Sequence, residues 1–242
     1  MSDRRDRIIE EMGLGPRWML RAPSAESAPA TAVPPSLEAA APANHAAAPV
    51  ANREAHIASL DWDGLQAAVH GCEACGLCKT RTQTVFGVGD QAAELLIVGE
   101  APGAEEDRLG EPFVGQAGRL LDSMLAAVGM RRPANIYIAN VLKCRPPGNR
   151  NPEPREVVQC SPHLARQITL VKPKLIVAMG RFAAQTLLAS DASIASMRGK
   201  LFQYQSVPLI VTYHPAYLLR TLPDKAKAWE DLLFMQRTLT AA

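Results

Sequence analysis

Four short runs of consecutive apolar residues limit the folds open to this chain more than any other feature: Leu95-Leu96-Ile97-Val98, Ile136-Tyr137-Ile138, Leu175-Ile176-Val177-Ala178 and Leu209-Ile210-Val211. Runs this short, without polar alternation, read as strands buried on both faces, the condition of a parallel sheet covered by helices. Helical periodicity fills the intervals at Ala117 to Val128, Pro154 to Val171 and Arg181 to Ala189, and a last helix is expected from about Lys225 to Leu239. Strand and helix in alternation predict an α/β fold with a central, mostly parallel four-stranded sheet flanked by helices. A polar or glycine residue follows each run: Glu100, Asn140, Gly180 and His214. Ligands of parallel α/β sheets bind at the carboxyl ends of the strands, so these four are expected to converge on one crevice.

With 242 residues, 48% of them hydrophobic, the chain has material for one sizeable core plus an appendage. A net charge of +2 is too mild to mark a nucleic-acid binder by itself, so any such affinity must come from local placement of Lys and Arg. Residues 22–55 are mostly Ala, Pro and Ser with few large apolar side chains, and read as a disordered linker. It separates a short segment, 1–21, from a domain at 56–242. In that first segment an apolar patch of Leu14, Trp18, Met19 and Leu20 reads either as a docking motif for a protein partner or as a frayed tail. No stretch has the length of a membrane span or the form of a secretion signal, so a soluble, cytoplasmic, monomeric protein is expected.

The cysteines narrow the chemistry. Cys72-x2-Cys75 followed far downstream by Cys144 and Cys160 matches a metal or iron-sulfur site assembled from distant segments. Cys78 makes a second pair with Cys75 and is a competing ligand. Five cysteines in a chain large enough to do without staples argue against a disulfide framework and for a reducing compartment. The thiolates alone suit a tetrahedral zinc as well as a cluster.

Three further stretches stand out: Gly99-Glu100-Ala101-Pro102-Gly103, a turn that brings backbone N–H groups close to a ligand; Pro112-Phe113-Val114-Gly115; and His214-Pro215-Ala216-Tyr217-Leu218-Leu219-Arg220. With the cysteines, over roughly residues 70–235, they resemble the family 4 uracil-DNA glycosylases, the iron-sulfur branch of that superfamily. The resemblance implies a four-iron four-sulfur cluster on Cys72, Cys75, Cys144 and Cys160, in preference to zinc. It implies a uracil pocket made by Gly99, Ala101, Gly103, Phe113, Asn140 and His214, with Phe113 stacking on the flipped base. The Asn140 amide carries the donor and acceptor that complement N3–H and O4 of uracil, a pattern cytosine reverses. His214 is expected to donate to O2 as negative charge develops there.

In the best-known uracil-DNA glycosylases the first loop reads Gly-Gln-Asp-Pro-Tyr and its Asp orients the attacking water; Glu100 and Ala101 occupy the corresponding positions here. Glu100, Glu106 and Asn149 are therefore the candidates to position water, and Glu106 is also expected to wall off the thymine methyl where Gly103 replaces a tyrosine. The resemblance further places Leu218, with Leu219 as neighbour, as the wedge that fills the space of the extruded nucleotide. Arg145, Arg150, Arg198 and Arg220 are expected as phosphate partners. The implied activity is a monofunctional glycosylase of base excision repair that acts on uracil in single- or double-stranded DNA and leaves an abasic site. One rival is a non-catalytic or covalent uracil binder of the same fold, but the Lys-Arg-Arg-Ile-His insertion of that related branch is replaced by Lys143 to Arg150. Another, an iron-sulfur DNA-binding regulator, leaves Phe113, Asn140 and His214 unexplained.

Overall fold

A computed structural model of the protein describes residues 50–241, and the expectations for the 1–21 segment around Trp18 and for most of the linker lie outside the described residues. Six strands, β1 (Val88–Gly89), β2 (Leu95–Gly99), β3 (Ile136–Asn140), β4 (Leu175–Met179), β5 (Phe202–Tyr204) and β6 (Val207–Thr212), form one sheet in the order β1-β3-β2-β4-β6-β5. The four apolar runs are the four central strands, and they pair in parallel. The expectation of a four-stranded sheet needs one correction: β1 and β5 add antiparallel edges, making the sheet mixed. These edges are two and three residues long and only half-buried, so they carry no apolar run to announce them. Short edge strands of this kind also leave little open ladder for another chain to pair with.

Alternate side chains of the central strands feed two cores. On one face Leu96, Val98, Ala139, Ile176, Ala178 and Val211 pack with Leu164, Ile168 and Val171 of α5 (Pro154–Val171) and Ala183, Ala184 and Leu187 of α6 (Arg181–Leu188). On the other, Leu95, Ile97, Ile138, Val177 and Ile210 meet Leu121 and Leu125 of α4 (Gln116–Ala127) and Leu232 and Met235 of α9 (Lys225–Ala241). Burial of each such Leu, Ile or Val stabilises the fold by about 1.5–3 kcal/mol, which makes these two layers the main support of the sheet.

The remaining helices are α1 (Val50–Ser59), α2 (Trp62–His70), α3 (Ala104–Leu109), α7 (Ile194–Met197) and α8 (Pro215–Leu218). α1 takes in the last six residues assigned to the linker, a second correction. The reason is local: Pro49 is the last proline of the stretch, the residues after it favour helix, and Ile57 is buried. No helix among the described residues is long and apolar enough to cross a membrane.

Register places the site. Gly99 lies beside Asn140 and Met179 beside Thr212, so the four parallel strands end level with one another. Strand order reverses at β2, which has β3 on one side and β4 on the other, and such a reversal opens a crevice at the carboxyl ends.

Candidate active site

A cleft of about 840 Å³ opens at that edge, and Glu100, Ala101, Gly103, Glu106, Phe113, Asn140, Asn149, Arg150, His214 and Arg220 all line it. Ten of the residues expected at the site, from five segments of the chain, thus meet at one place. Gly99 lies just beneath: a side chain there would come within 2.3 Å of Asn140 Oδ1 and 2.7 Å of the Phe113 ring, so only glycine lets the two approach. Asn140 is 3% exposed and its amide makes no hydrogen bond among the described residues, leaving donor and acceptor turned to the cleft.

Phe113 adopts φ 56°, a left-handed conformation that costs a non-glycine residue about 1–2 kcal/mol. The surrounding bonds hold it there. Arg132 donates to the carbonyls of Pro112 and Phe113, both at 3.1 Å, and pairs with Asp122 at 2.6 Å. From the other side the Glu106 carboxylate accepts the N–H groups of Val114 (3.0 Å), Gly115 (3.1 Å) and Gly103 (3.1 Å). Glu106 therefore ties the first loop to the Phe113 loop. Its expected role as a water-positioning base is revised accordingly, because its oxygens are engaged by backbone N–H groups.

His214 stacks near Phe113, ring centroids 5.4 Å apart at 27°. It caps α8, its Nδ1 accepting the N–H of Ala216 at 3.1 Å. An acceptor at Nδ1 assigns the proton of the neutral ring to Nε2, which becomes the donor. Burial pushes its pKa down to about 4, so the ring is neutral at ordinary pH. Beneath it, Thr212 donates to Asp231 at 2.8 Å and Asp231 pairs with Arg198 at 3.0 Å, binding α9 to the end of β6. Glu100 has its carboxylate in the cleft with no hydrogen bond among the described residues; burial raises its pKa, and Arg181 works against that rise.

The DNA-facing expectations divide. Leu218 is 1% exposed and packs in the core, whereas Leu219 is 39% exposed, so the side chain available as a wedge is Leu219. Arg198 is occupied by Asp231 and Glu230 and stands outside the cleft lining. Arg150 forks onto Glu156 at 2.6 and 2.9 Å, bracing the start of α5, and Arg145 donates to Asn149 Oδ1 at 2.7 Å. Of the four arginines, Arg220 alone lines the cleft without an ion pair among the described residues. Arg181, Phe182, Tyr213 and Tyr217 line it as well and escaped the sequence reading. Their signal was position: Arg181 and Phe182 follow Gly180 at a strand end, and both tyrosines flank His214.

Cys72, Cys75, Cys144 and Cys160 border one small enclosed cavity together with Arg81, Lys143 and His163, and Cys78 does not line it. N–H groups point at the sulfurs: Arg81 to Cys144 at 3.1 Å, the Lys143 backbone to Cys160 at 3.2 Å, Arg53 to Cys72 at 3.6 Å. The buried Nδ1 of His163 has no hydrogen-bond partner among the described residues. No three His, Cys, Asp or Glu side chains among the described residues form a group that could hold a single metal ion. Four thiols around one cavity, faced by cations and N–H donors, are a donor set that fits an anionic thiolate-bound cluster.

The Uracil DNA glycosylase superfamily profile matches residues 86–233. A Type-4 uracil-DNA glycosylase of Archaeoglobus fulgidus is 46% identical over 165 residues, covering 65% of this chain and 82% of the relative. The Type-4 enzyme of Thermotoga maritima is 43% identical over 161 residues, 66% of this chain and 83% of the relative. That of Pyrobaculum aerophilum is 40% identical over 181 residues, 72% and 92%. Fold, cleft and matches together place the chain in the uracil-DNA glycosylase superfamily, among the Type-4 uracil-DNA glycosylases.

Proposed function

We propose that the protein is a uracil-DNA glycosylase that hydrolyses the N-glycosidic bond of uracil flipped out of DNA, releasing the base and leaving an abasic site. The observation that carries the reading is the meeting of Phe113, Asn140 and His214 in one cleft with the His214 donor assigned to Nε2. Phe113 offers a face to the base, and the Asn140 amide reads N3–H and O4. A cytosine there would leave buried polar groups unpaired at about 1–3 kcal/mol each. As the bond to C1′ breaks, the electron pair passes to N1 and O2 of the departing uracil, and His214 Nε2–H meets the charge at O2. A donor placed where charge develops is worth about 10²–10³ in rate. Glu100 receives the proton of the water that adds to C1′ and stabilises the positive charge growing on the sugar. No lysine is among the described residues lining the cleft, which supports hydrolysis without strand cleavage.

Leu219 is the wedge, and Arg220 with Arg181 neutralises phosphate. Cys72, Cys75, Cys144 and Cys160 would hold a four-iron four-sulfur cluster, which would supply a structural tie between the segment of the first two cysteines and the loop that carries Asn149. Incubation of the purified protein with a uracil-containing oligonucleotide, followed by alkali, should give one cut at the uracil position. An intact strand after alkali would dismiss the reading, and a cut without alkali would dismiss its monofunctional part.

A further inference from the structure

Lys143 is 2% exposed and has no carboxylate partner among the described residues, an unusual position for a cation. Its ammonium donates to the backbone carbonyl of Asn140 at 2.8 Å and to Gln167 Oε1 at 2.6 Å. Gln167, itself fully buried, is held in turn by the Phe86 carbonyl at 2.9 Å and the Tyr137 hydroxyl at 3.3 Å. Lys143 also lines the thiol cavity, and its backbone N–H donates to Cys160 at 3.2 Å. One residue thus meets a cavity sulfur through its backbone and grips, through its side chain, the backbone of the base-reading residue. A buried ammonium is costly unless compensated, and a thiolate-bound cluster beside Cys144 and Cys160 would supply the compensating charge.

We infer that Lys143 is a positioning residue that joins the two sites: its charge is balanced by the thiolate-bound cluster, and its ammonium fixes the carbonyl of Asn140 so that the Asn140 amide is aimed at uracil. The inference rests on the cluster reading above. It assigns the metal centre a specific influence on base recognition, carried over one side chain, in addition to holding two segments together.

The test uses the full chain with Lys143→Met, which removes charge and donor, and Lys143→Gln, which removes the charge and keeps a donor. Iron and sulfide content, the reduction potential of the cluster, and kcat and KM on a uracil oligonucleotide are measured for each. Loss of a nearby positive charge makes the cluster harder to reduce, so both variants should shift to lower potential. Lys143→Met should lose at least tenfold in kcat, and Lys143→Gln should recover a large part of it. Equal losses in the two variants, or a potential unchanged in both, would overturn the inference. Should neither variant fold, the unsubstituted protein decides. With 15N-labelled lysine, a slowly exchanging buried ammonium signal should be present and should move when iron is stripped by a chelator. A signal indifferent to iron overturns this inference alone, whereas absence of iron and sulfide from the purified protein overturns the cluster reading together with it.

Discussion

His214 shows how a structural contact and a chemical role reside in one ring. By accepting the Ala216 N–H at Nδ1, His214 caps a short helix and leaves Nε2 as the nitrogen free to donate. Replacing His214 by Ala should lower kcat by about 10²–10³ with a small change in KM, because the lost bond is made to charge that exists in the transition state. The folded ring titrates near 4 and the unfolded one near 6.5, so the unfolded chain binds the extra proton between them. Its contribution to stability is complete above about 6.5 and is lost as pH falls toward 4, and kcat should show no inflection near 6.5 from this residue; melting curves and pH–rate profiles read both. Glu106 makes a complementary case. In Glu106→Gln an amide NH2 faces an N–H donor in place of an acceptor oxygen, which should cost about 1–3 kcal/mol of stability in a denaturant titration and lower turnover by loosening Phe113.

Helix α8 and the turn after it separate two neighbouring leucines. Leu218→Ala should cost about 2–5 kcal/mol in unfolding free energy, the usual range for emptying a core leucine site. Leu219→Ala should leave melting almost unchanged but reduce activity on duplex substrate about tenfold or more, and less on single strands, since base extrusion from a duplex costs a few kcal/mol. The resemblance points to Leu218 as the outward leucine with Leu219 as neighbour, and the structure reverses the two, because one step along a helix turns a side chain by more than a quarter circle. Legibility of the elements followed the same logic. The central strands and α5 could be read from the sequence since continuous apolar runs and long periodic stretches are strong signals, while β1, β5, α3 and α7 are too short to show a period. Arg198, expected as a phosphate partner, is claimed by Asp231, far along the chain, because sequence lists cations and not their partners.

The described fold extends well before the segment matched by the superfamily profile, which begins at residue 86. Two of the four cavity thiols, Cys72 and Cys75, lie in that preceding part, while Cys144 and Cys160 belong to the sheet-bound part. With the cluster proposed above in place, Cys72→Ala should abolish its visible absorption, lower the melting temperature, and weaken DNA binding through the loop at Asn149. The earlier segment is also fastened by the buried side chains of Ile57, Leu65, Val69 and Leu77, by Trp62 against Tyr137, and by two arginine bonds, Arg53 to the Gln159 carbonyl and Arg166 to that of Leu60. If the proposed cluster sits on the four thiols, its loss would remove one tie between the stretch from α1 to Arg81 and the sheet, so limited trypsin digestion should nick protein stripped of iron there more readily than filled protein.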